Sequence, residues 1–283
     1  MSSLFDFKPE NARYAVMGNP VAHSKSPAIH AAFARQCGHS LSYEAIHVDS
    51  GGLAQALGNF QAAGGKGVNI TVPFKQEACA LSDALSPRAQ QAQAVNTLLF
   101  QADGTRYGDN TDGVGLVRDI LHNHGGIIAG RRVLLLGAGG AARGVIGPLL
   151  AENPAVLVIA NRTPDRAAEL AAAFSGTGKI AGGGFPALTG HTFDLIINAT
   201  AASLQHDMPP LPDGIVATGG WCYDMMYGAQ PTIFMHWAER QGAEKSLDGL
   251  GMLVEQAAEA FYLWRGILPD TAPVIAALRN NDC

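Results

Sequence analysis

Residues 131–150, RRVLLLGAGGAARGVIGPLL, decide the fold. Val133 to Leu136 form an unbroken apolar run, as expected of a strand buried on both faces of a parallel sheet. A glycine turn follows, and then small and apolar residues at helical spacing. Gly137, Ala138, Gly139, Gly140, Ala141 and Ala142 fit G-x-G-x-x-G/A in the strand–turn–helix context that this pattern requires. Glycines there let the backbone turn tightly and approach a pyrophosphate, while the helix N-terminus offers free N–H groups and a favourable dipole. The reading is a dinucleotide site. Packing alone, with small residues needed at a helix start, is the competing account.

The next strand, AVLVIA (155–160), selects the dinucleotide. An NAD site usually places Asp or Glu at its end, about 20 residues after the glycines, to accept from the ribose 2′-OH. Here Asn161, Arg162 and Thr163 stand there, followed by Arg166. Two guanidinium groups suit a 2′-phosphate through charge-assisted bonds, and a carboxylate would repel it. Thr163 can also cap a helix with Pro164 at its first position, but capping does not account for the arginine pair. NADP is the expected cofactor.

Working outward, strand-like and helix-like segments alternate almost throughout, which predicts α/β architecture with largely parallel sheets. RYAVMGNP is a strand and turn. SPAIHAAFARQCG is a helix, with Ser26 a candidate N-cap, Pro27 at its first turn and Gly38 as its stop. SYEAIHV is a second strand, followed by a helix near 51–63, a strand in KGVNITVPFK and a helix near 76–85. After GDNTDGVG the pattern restarts, so a boundary is placed near 112. GLGMLVEQAAEAFYLWRG is a long helix, and a last short one led by Pro273 returns to the first domain. The expected fold is two α/β domains with a cleft between them. Residues 1–111 plus 249–283 form a substrate domain completed by C-terminal helices, and 112–248 form a Rossmann-like NADP domain.

The chain has 283 residues, 47% hydrophobic and 15% charged, with a formal net charge of −5. Buried cores are therefore expected, and disorder is not. No Lys/Arg block exists to bind nucleic acid, and no apolar run approaches the roughly 20 residues that span a bilayer. The start, MSSLFDFKPENARY, has no basic-then-apolar secretion pattern. Cys37, Cys79, Cys222 and Cys283 show no metal-ligand spacing, which favours free thiols and a cytoplasmic location. DNTDG resembles a calcium loop only superficially, since its acids miss the alternating positions and no closing Glu follows. No metal is expected.

In KGVNITVPFK (66–75), Val68, Ile70 and Val72 alternate with Asn69 and Thr71, the period of a half-buried strand. Pro73 ends it and Lys75 follows. Similar clusters of small neutral hydrogen-bonders occur around Ser24, Ser26 and Asn96. They suit a polyhydroxylated small molecule, each hydroxyl being both donor and acceptor.

Eight runs, in order, carry a specific resemblance: GNPVAHSKSPAIH (18–30), GGKGVNITVPFK (64–75), AVNTL (94–98), GDNTDGVG (108–115), GAGGAARG (137–144), NRT (161–163), YDMMY (223–227) and DGLGMLVEQA (248–257). Together they resemble the shikimate dehydrogenase family. The resemblance implies that Ser24 and Ser26, helped by Tyr227, bind a carboxylate, and that Asn69, Thr71, Asn96 and Gln256 hold ring hydroxyls. It implies Lys75 and Asp112 as the catalytic pair, either of which could carry the proton that accompanies hydride transfer. Near the nicotinamide it places Thr200, Met225, Gly249 and Met252. Structural roles remain open beside these: Asn96 as a turn residue, Gln256 as a solvated helix position, Asp112 as an N-cap, and the methionines as core.

Two departures stand out. After NAT the family commonly continues with Ser and then Gly, where this chain has Ala201-Ala202-Ser203-Leu204. After YDMMY it often shows Thr-Pro, where this chain has Thr232-Ile233. The resemblance implies NADP-dependent reduction of 3-dehydroshikimate to shikimate, toward chorismate and the aromatic amino acids, by a monomer or homodimer. A dual quinate/shikimate enzyme is the near alternative, although such relatives tend to carry threonine in place of Ser26. A non-catalytic NADP-binding sensor is the distant one, and it would have no use for Lys75 and Asp112.

Overall fold

Apolar runs bounded by glycine and proline become two six-stranded sheets in the computed structural model of the chain, which describes residues 11–200 and 207–280. The Ala201–Leu204 departure, Cys283 and most of the N-terminal stretch lie outside those residues.

The elements run β1 (Ala12–Gly18), α1 (Ser26–Cys37), β2 (Leu41–His47), α2 (Leu53–Ala62), β3 (Gly65–Ile70), α3 (Lys75–Ala80), β4 (Ala84–Leu85), α4 (Pro87–Ala92), β5 (Thr97–Phe100) and β6 (Arg106–Asp109). Then come α5 (Asp112–Arg118), continued by a π-helical turn Asp119–Asn123, β7 (Arg132–Leu136), α6 (Gly140–Ala151), β8 (Val156–Ala160), α7 (Pro164–Ala173) and β9 (Ile180–Gly183). The rest are β10 (Phe193–Asn198), β11 (Val216–Asp224), α8 (Ile233–Arg240), β12 (Lys245–Leu247), α9 (Leu250–Arg265) and α10 (Ala272–Arg279).

Two compact units result: 1–86 with 95–109 and 257–283, and 87–94 with 110–256. The sequence pattern alone suggests 112–248 for the second. Its larger extent follows from packing. Gly147 of α6 lies against Gln91 of α4, and Gly115 of α5 lies against the backbone of α9 at Met252 and Gln256. The division therefore falls inside α9, after Gln256.

In the first unit the strand order is β2-β1-β3-β5-β6-β4. Strands β2, β1 and β3 are parallel, but β3–β5 and β5–β6 pair antiparallel. The departure from a largely parallel sheet has a local cause. Gln101 N donates to Thr105 O at 2.9 Å and Gly104 takes φ 90°, closing a tight hairpin that only antiparallel strands can share.

Strand β3 also differs from its expected pattern. It stops at Ile70, before Pro73, and it is not half-solvated: Val68, Asn69 and Ile70 are all buried, while Val72 is 53% exposed. It lies inside the sheet between β1 and β5, with the Trp264 indole of α9 packed on Gly67 and donating to Leu98 O at 3.0 Å. An interior strand covered by helices reads as nearly continuous burial, so the period of two fails. The start of α1 is a further correction. Lys25, not Ser26, occupies the N-cap position, and Ser26 is the first helical residue; Gly38 ends the helix at φ 67° as expected.

The second unit carries an all-parallel sheet, β12-β11-β10-β7-β8-β9. Read from β9, this is the doubly wound order 3-2-1-4-5-6, whose strand order reverses between β7 and β10. Leu134, Leu135 and Leu136 are fully buried at its centre. Helix α5 wedges in through its glycines, because a Cβ on Gly113 would strike Gly144 O of α6.

Candidate active site

At the end of β7 the chain turns on Gly137, which takes φ 106° and donates its N–H to Ala160 O at 2.8 Å. A side chain is strained at that φ, and its Cβ would press on Ala199 and Thr200. One turn later the reverse holds. A Cβ on Gly139 would meet nothing within 4 Å, so the backbone stays open to an approaching group just where α6 begins. Open backbone, free helix N–H groups and the switch point coincide there, which fits the pyrophosphate of a dinucleotide.

Beside it, Asn161 at the end of β8 donates from Nδ2 to Thr163 O at 3.0 Å. Thr163 holds the N-cap position of α7, but its side chain makes no cap bond. Arg162 and Arg166 are exposed and meet no carboxylate among the described residues. These residues fit a ribose 2′-phosphate.

Beyond β10 and β11 two loops share one hub. Asn198 Oδ1 accepts from Thr200 N (3.1 Å) and Thr200 Oγ1 (2.7 Å), and Asn198 O accepts from Met225 N (2.9 Å). Its Nδ2 donates to Asp224 Oδ1 at 3.0 Å, and that same oxygen accepts from Met226 N at 3.1 Å. Gly249 N donates to Met226 O at 3.0 Å, and a Cβ on Gly249 would collide with Met225 O. Thr200, Met225 and Gly249 are thereby held on one connected backbone, with Met252 buried one turn into α9. Asn198 and Asp224 stand inside the NAT and YDMMY runs, yet nothing in their spacing reveals that they bond.

In the same unit Asp112 opens α5, with Thr111, not Asp112, at the N-cap. Asp112 N donates to Asn110 Oδ1 at 3.2 Å, and its side chain is buried. Thr111 Oγ1 donates to Gln256 Oε1 at 3.3 Å, so Gln256 is not the solvated helix residue it could have been. Tyr227 is half-buried, and burial raises its phenol above the ordinary value.

The first unit holds the neutral residues expected to be ligands. Ser24 Oγ accepts from Ser26 N at 3.3 Å in the turn before α1, and Ser26 is buried. On β3, Asn69 Nδ2 donates to Thr97 Oγ1 (3.0 Å) and Asn96 O (3.3 Å), and Thr97 Oγ1 donates to Asn96 Oδ1 (2.9 Å). Thr71 follows the strand end, its N–H donating to Met17 O at 3.0 Å. Lys75 begins α3, half-buried, and its carbonyl accepts from Val95 N at 2.8 Å, one residue before Asn96. Asn69, Asn96 and Lys75 are thus tied into one patch. Lys75 and Asp112 belong to different units.

Among the described residues, no group of three or more His, Cys, Asp or Glu could hold a metal ion. Residues 16–98 match the shikimate dehydrogenase substrate binding domain, 119–206 the shikimate / quinate 5-dehydrogenase family, and 249–279 the shikimate 5′-dehydrogenase C-terminal domain. A shikimate dehydrogenase (NADP(+)) from Nitrosococcus oceani is 62% identical over 95% of this chain and 95% of its own. The chain belongs to the shikimate dehydrogenase (NADP+) family. Among solved structures, shikimate 5-dehydrogenase from Thermus thermophilus, in complex with NADP(H) and shikimate, is 37% identical, covering 95% of this chain and 99% of that one at a TM-score of 0.84. An Ael1 enzyme from Pseudomonas putida is 47% identical, covering 95% and 98% at a TM-score of 0.86.

Two features of this shikimate dehydrogenase chain escaped sequence reading. Asp119, in the π-helical turn, is buried in the second unit. Tyr223 Oη donates to it at 2.6 Å and Asn123 Nδ2 at 2.9 Å, with His124 Nε2 at 3.7 Å. Burial pushes its carboxyl upward, but the bonds from His124, Tyr223 and Asn123 outweigh that and hold it below the usual range. In the first unit His30 is fully buried near Asn69, and neither ring nitrogen makes a well-formed hydrogen bond. Its ring stacks on Tyr43 with centroids 4.3 Å apart. Burial lowers the imidazole to about 3, the nearby Asn69 side chain offsetting only part of that.

A pH dependence follows. Folded His30 stays neutral, whereas in the unfolded chain histidine protonates near 6.5. The unfolded state therefore binds the extra proton between those values, and stability falls as pH drops from 6.5 toward about 3. Urea midpoints measured from pH 6.5 to 4.5 are expected to decline, with His30 contributing up to ~1.4 kcal/mol per pH unit. In His30→Phe the decline should be shallower; equal slopes would refute the assignment.

Proposed function

We infer that the chain catalyses the reversible reduction of 3-dehydroshikimate to shikimate with NADPH, on the route to chorismate and the aromatic amino acids. The observation that best supports the site assignment is the Lys75–Val95 backbone bond, which fixes the backbone of Lys75 next to the strand approach that carries Asn96, the partner of Asn69. Neutral donors and acceptors suit ring hydroxyls, and an amine at their margin suits proton exchange with the reacting oxygen.

In this reading Ser24 and Ser26, with Tyr227, bind the substrate carboxylate, and Asn69, Thr71, Asn96 and Gln256 bind its hydroxyls. Lys75 delivers a proton to the ring oxygen in reduction and recovers it in oxidation. Asp112 serves as its partner, stabilising the ammonium or sharing the proton transfer. Residues 137–141 would hold the pyrophosphate of NADP, and Asn161, Arg162, Thr163 and Arg166 its 2′-phosphate. Thr200, Met225, Gly249 and Met252 would line the nicotinamide. Bound NADPH supplies the hydride. The enzyme would act in the cytoplasm as a monomer or homodimer. Among the described residues no helix is long and apolar enough to cross a membrane.

A dual quinate/shikimate specificity is the second reading, since the family matched by 119–206 is described as acting on both. Buried Ser26 favours shikimate, because the added hydroxyl of quinate lies on the carbon bearing the carboxylate that Ser26 is proposed to bind.

Steady-state rates with shikimate and quinate, each with NADP+ and NAD+, should give the highest kcat/KM for shikimate with NADP+. A maximum for quinate with NAD+ would reverse the assignment. Lys75→Ala should lower kcat by about 10²-fold or more with little change in the KM for shikimate; a loss confined to KM would make Lys75 a binding residue. Arg162→Ala should raise the KM for NADP+ far more than that for NAD+, and equal increases would exclude a 2′-phosphate contact.

A further inference from the structure

On β2, outside the assigned ligand set, half-buried Tyr43 donates its hydroxyl to Asn69 Oδ1 at 2.7 Å. We propose that Tyr43 is a positioning residue that fixes the Asn69 amide, leaving Asn69 only as an acceptor for one substrate hydroxyl. This rests on the substrate assignment made above.

The orientation of the amide is determined by its neighbours. Asn96 O is a carbonyl and can only accept, so the group facing it must be Nδ2. The single hydrogen of Thr97 Oγ1 goes to Asn96 Oδ1, so that hydroxyl too must accept from Asn69. Both Nδ2 hydrogens are then used inside the protein. Asn69 Oδ1 has two lone pairs, of which Tyr43 takes one. The His30 ring also faces this side chain, but neither of its nitrogens makes a well-formed hydrogen bond, so one acceptor site remains for a ligand on a side chain 6% exposed.

Tyr43 is itself held in place. Its ring stacks on neutral His30 at an interplanar angle of 7° and leans against Trp264 with centroids 6.4 Å apart. Burial raises its phenol far above the ordinary value, with Ser26 acting on the same oxygen in the opposite sense, so Tyr43 stays a donor at any working pH. It stands between two assigned ligands, Ser26 and Asn69. Without the Tyr43 hydroxyl, the buried Oδ1 would lose its anchor and the amide could rotate away from the hydroxyl it receives.

The test is Tyr43→Phe, alone and in Asn69→Ala. In the otherwise unchanged protein the KM for shikimate should rise about five- to tenfold. Meanwhile kcat should stay within about twofold, and the KM for NADP+ should be unchanged. In Asn69→Ala the same substitution should leave the KM for shikimate within about twofold, because the group it positions is gone. An unchanged KM in the first background, an equal rise in the second, or a parallel fall in kcat would overturn the proposal. If the unsubstituted enzyme does not turn over shikimate at all, the functional reading fails and this inference falls with it. Normal turnover with a silent Tyr43→Phe removes this inference alone.

Should Tyr43→Phe not fold, the unsubstituted protein labelled with 15N-asparagine gives the answer. The Asn69 NH2 pair, assigned by its loss in Asn69→Ala, should keep its proton shifts at saturating shikimate. A large displacement would show the amide nitrogen binding substrate and would overturn the proposal.

Discussion

A parallel strand covered on both faces can carry little but apolar side chains, so polar chemistry collects where the strand stops. Both units obey this constraint. The fully buried leucines of β7 give way to the turn at Gly137, β8 to Asn161 and Arg162, and β10 to Thr200. Strand β11 gives way to Met225 and Tyr227, and β3 to Thr71 and Lys75. Asn198 and Asp224 sit at the last positions of their strands, fully buried, and bond to each other. Their pairing is what permits two polar residues at that depth, since an unpaired buried amide or carboxylate would be costly. The rule places the loops, and the hub joins them.

Asn69 is the exception that explains the first unit. It lies within β3, not beyond it, and a polar side chain there needs every donor satisfied. Thr97, Asn96 and Tyr43 provide those partners from β5, its approach and β2. A buried network of this kind has one arrangement that satisfies all members, which makes this patch rigid. His30 belongs to the same arrangement: its ring packs flat under Tyr43 as an aromatic surface and stays uncharged.

The legible and illegible parts of this structure separate by distance along the chain. The β7–α6 fingerprint, the stop at Gly38 and the long helix α9 are local patterns, and each was readable because neighbours in sequence decide them. The alternation in β3 was readable but misleading, because period two cannot tell a half-solvated strand from one covered on both faces. The bonds Tyr43–Asn69, Asn198–Asp224 and Tyr223–Asp119 join residues 26, 26 and 104 positions apart, and no local pattern encodes them. Ser26 shows the finer limit. Serine before proline at a helix start reads as a cap, yet here the helix begins one residue earlier and the capping position falls to Lys25.

The replacement of the family's Thr-Pro by Thr232-Ile233 bears on how much of the loop after β11 depends on its sequence. Proline at a first helical position pre-sets φ and removes an N–H that would lack a partner. Isoleucine does neither. Thr232, however, keeps both of its roles: its hydroxyl oxygen accepts from Met235 N at 3.2 Å as the N-cap of α8, and its hydrogen goes to Asp224 Oδ2 at 2.6 Å. Asp224 is the same carboxylate that binds Asn198 and Met226 N. The helix start is therefore anchored to the hub through threonine, and the proline of the family is an aid to α8 that this hub does not require. What holds Met225 and Met226 is the Asn198–Asp224 pair, the first through Asn198 O and the second through the Asp224 carboxylate, and the chain carries both residues.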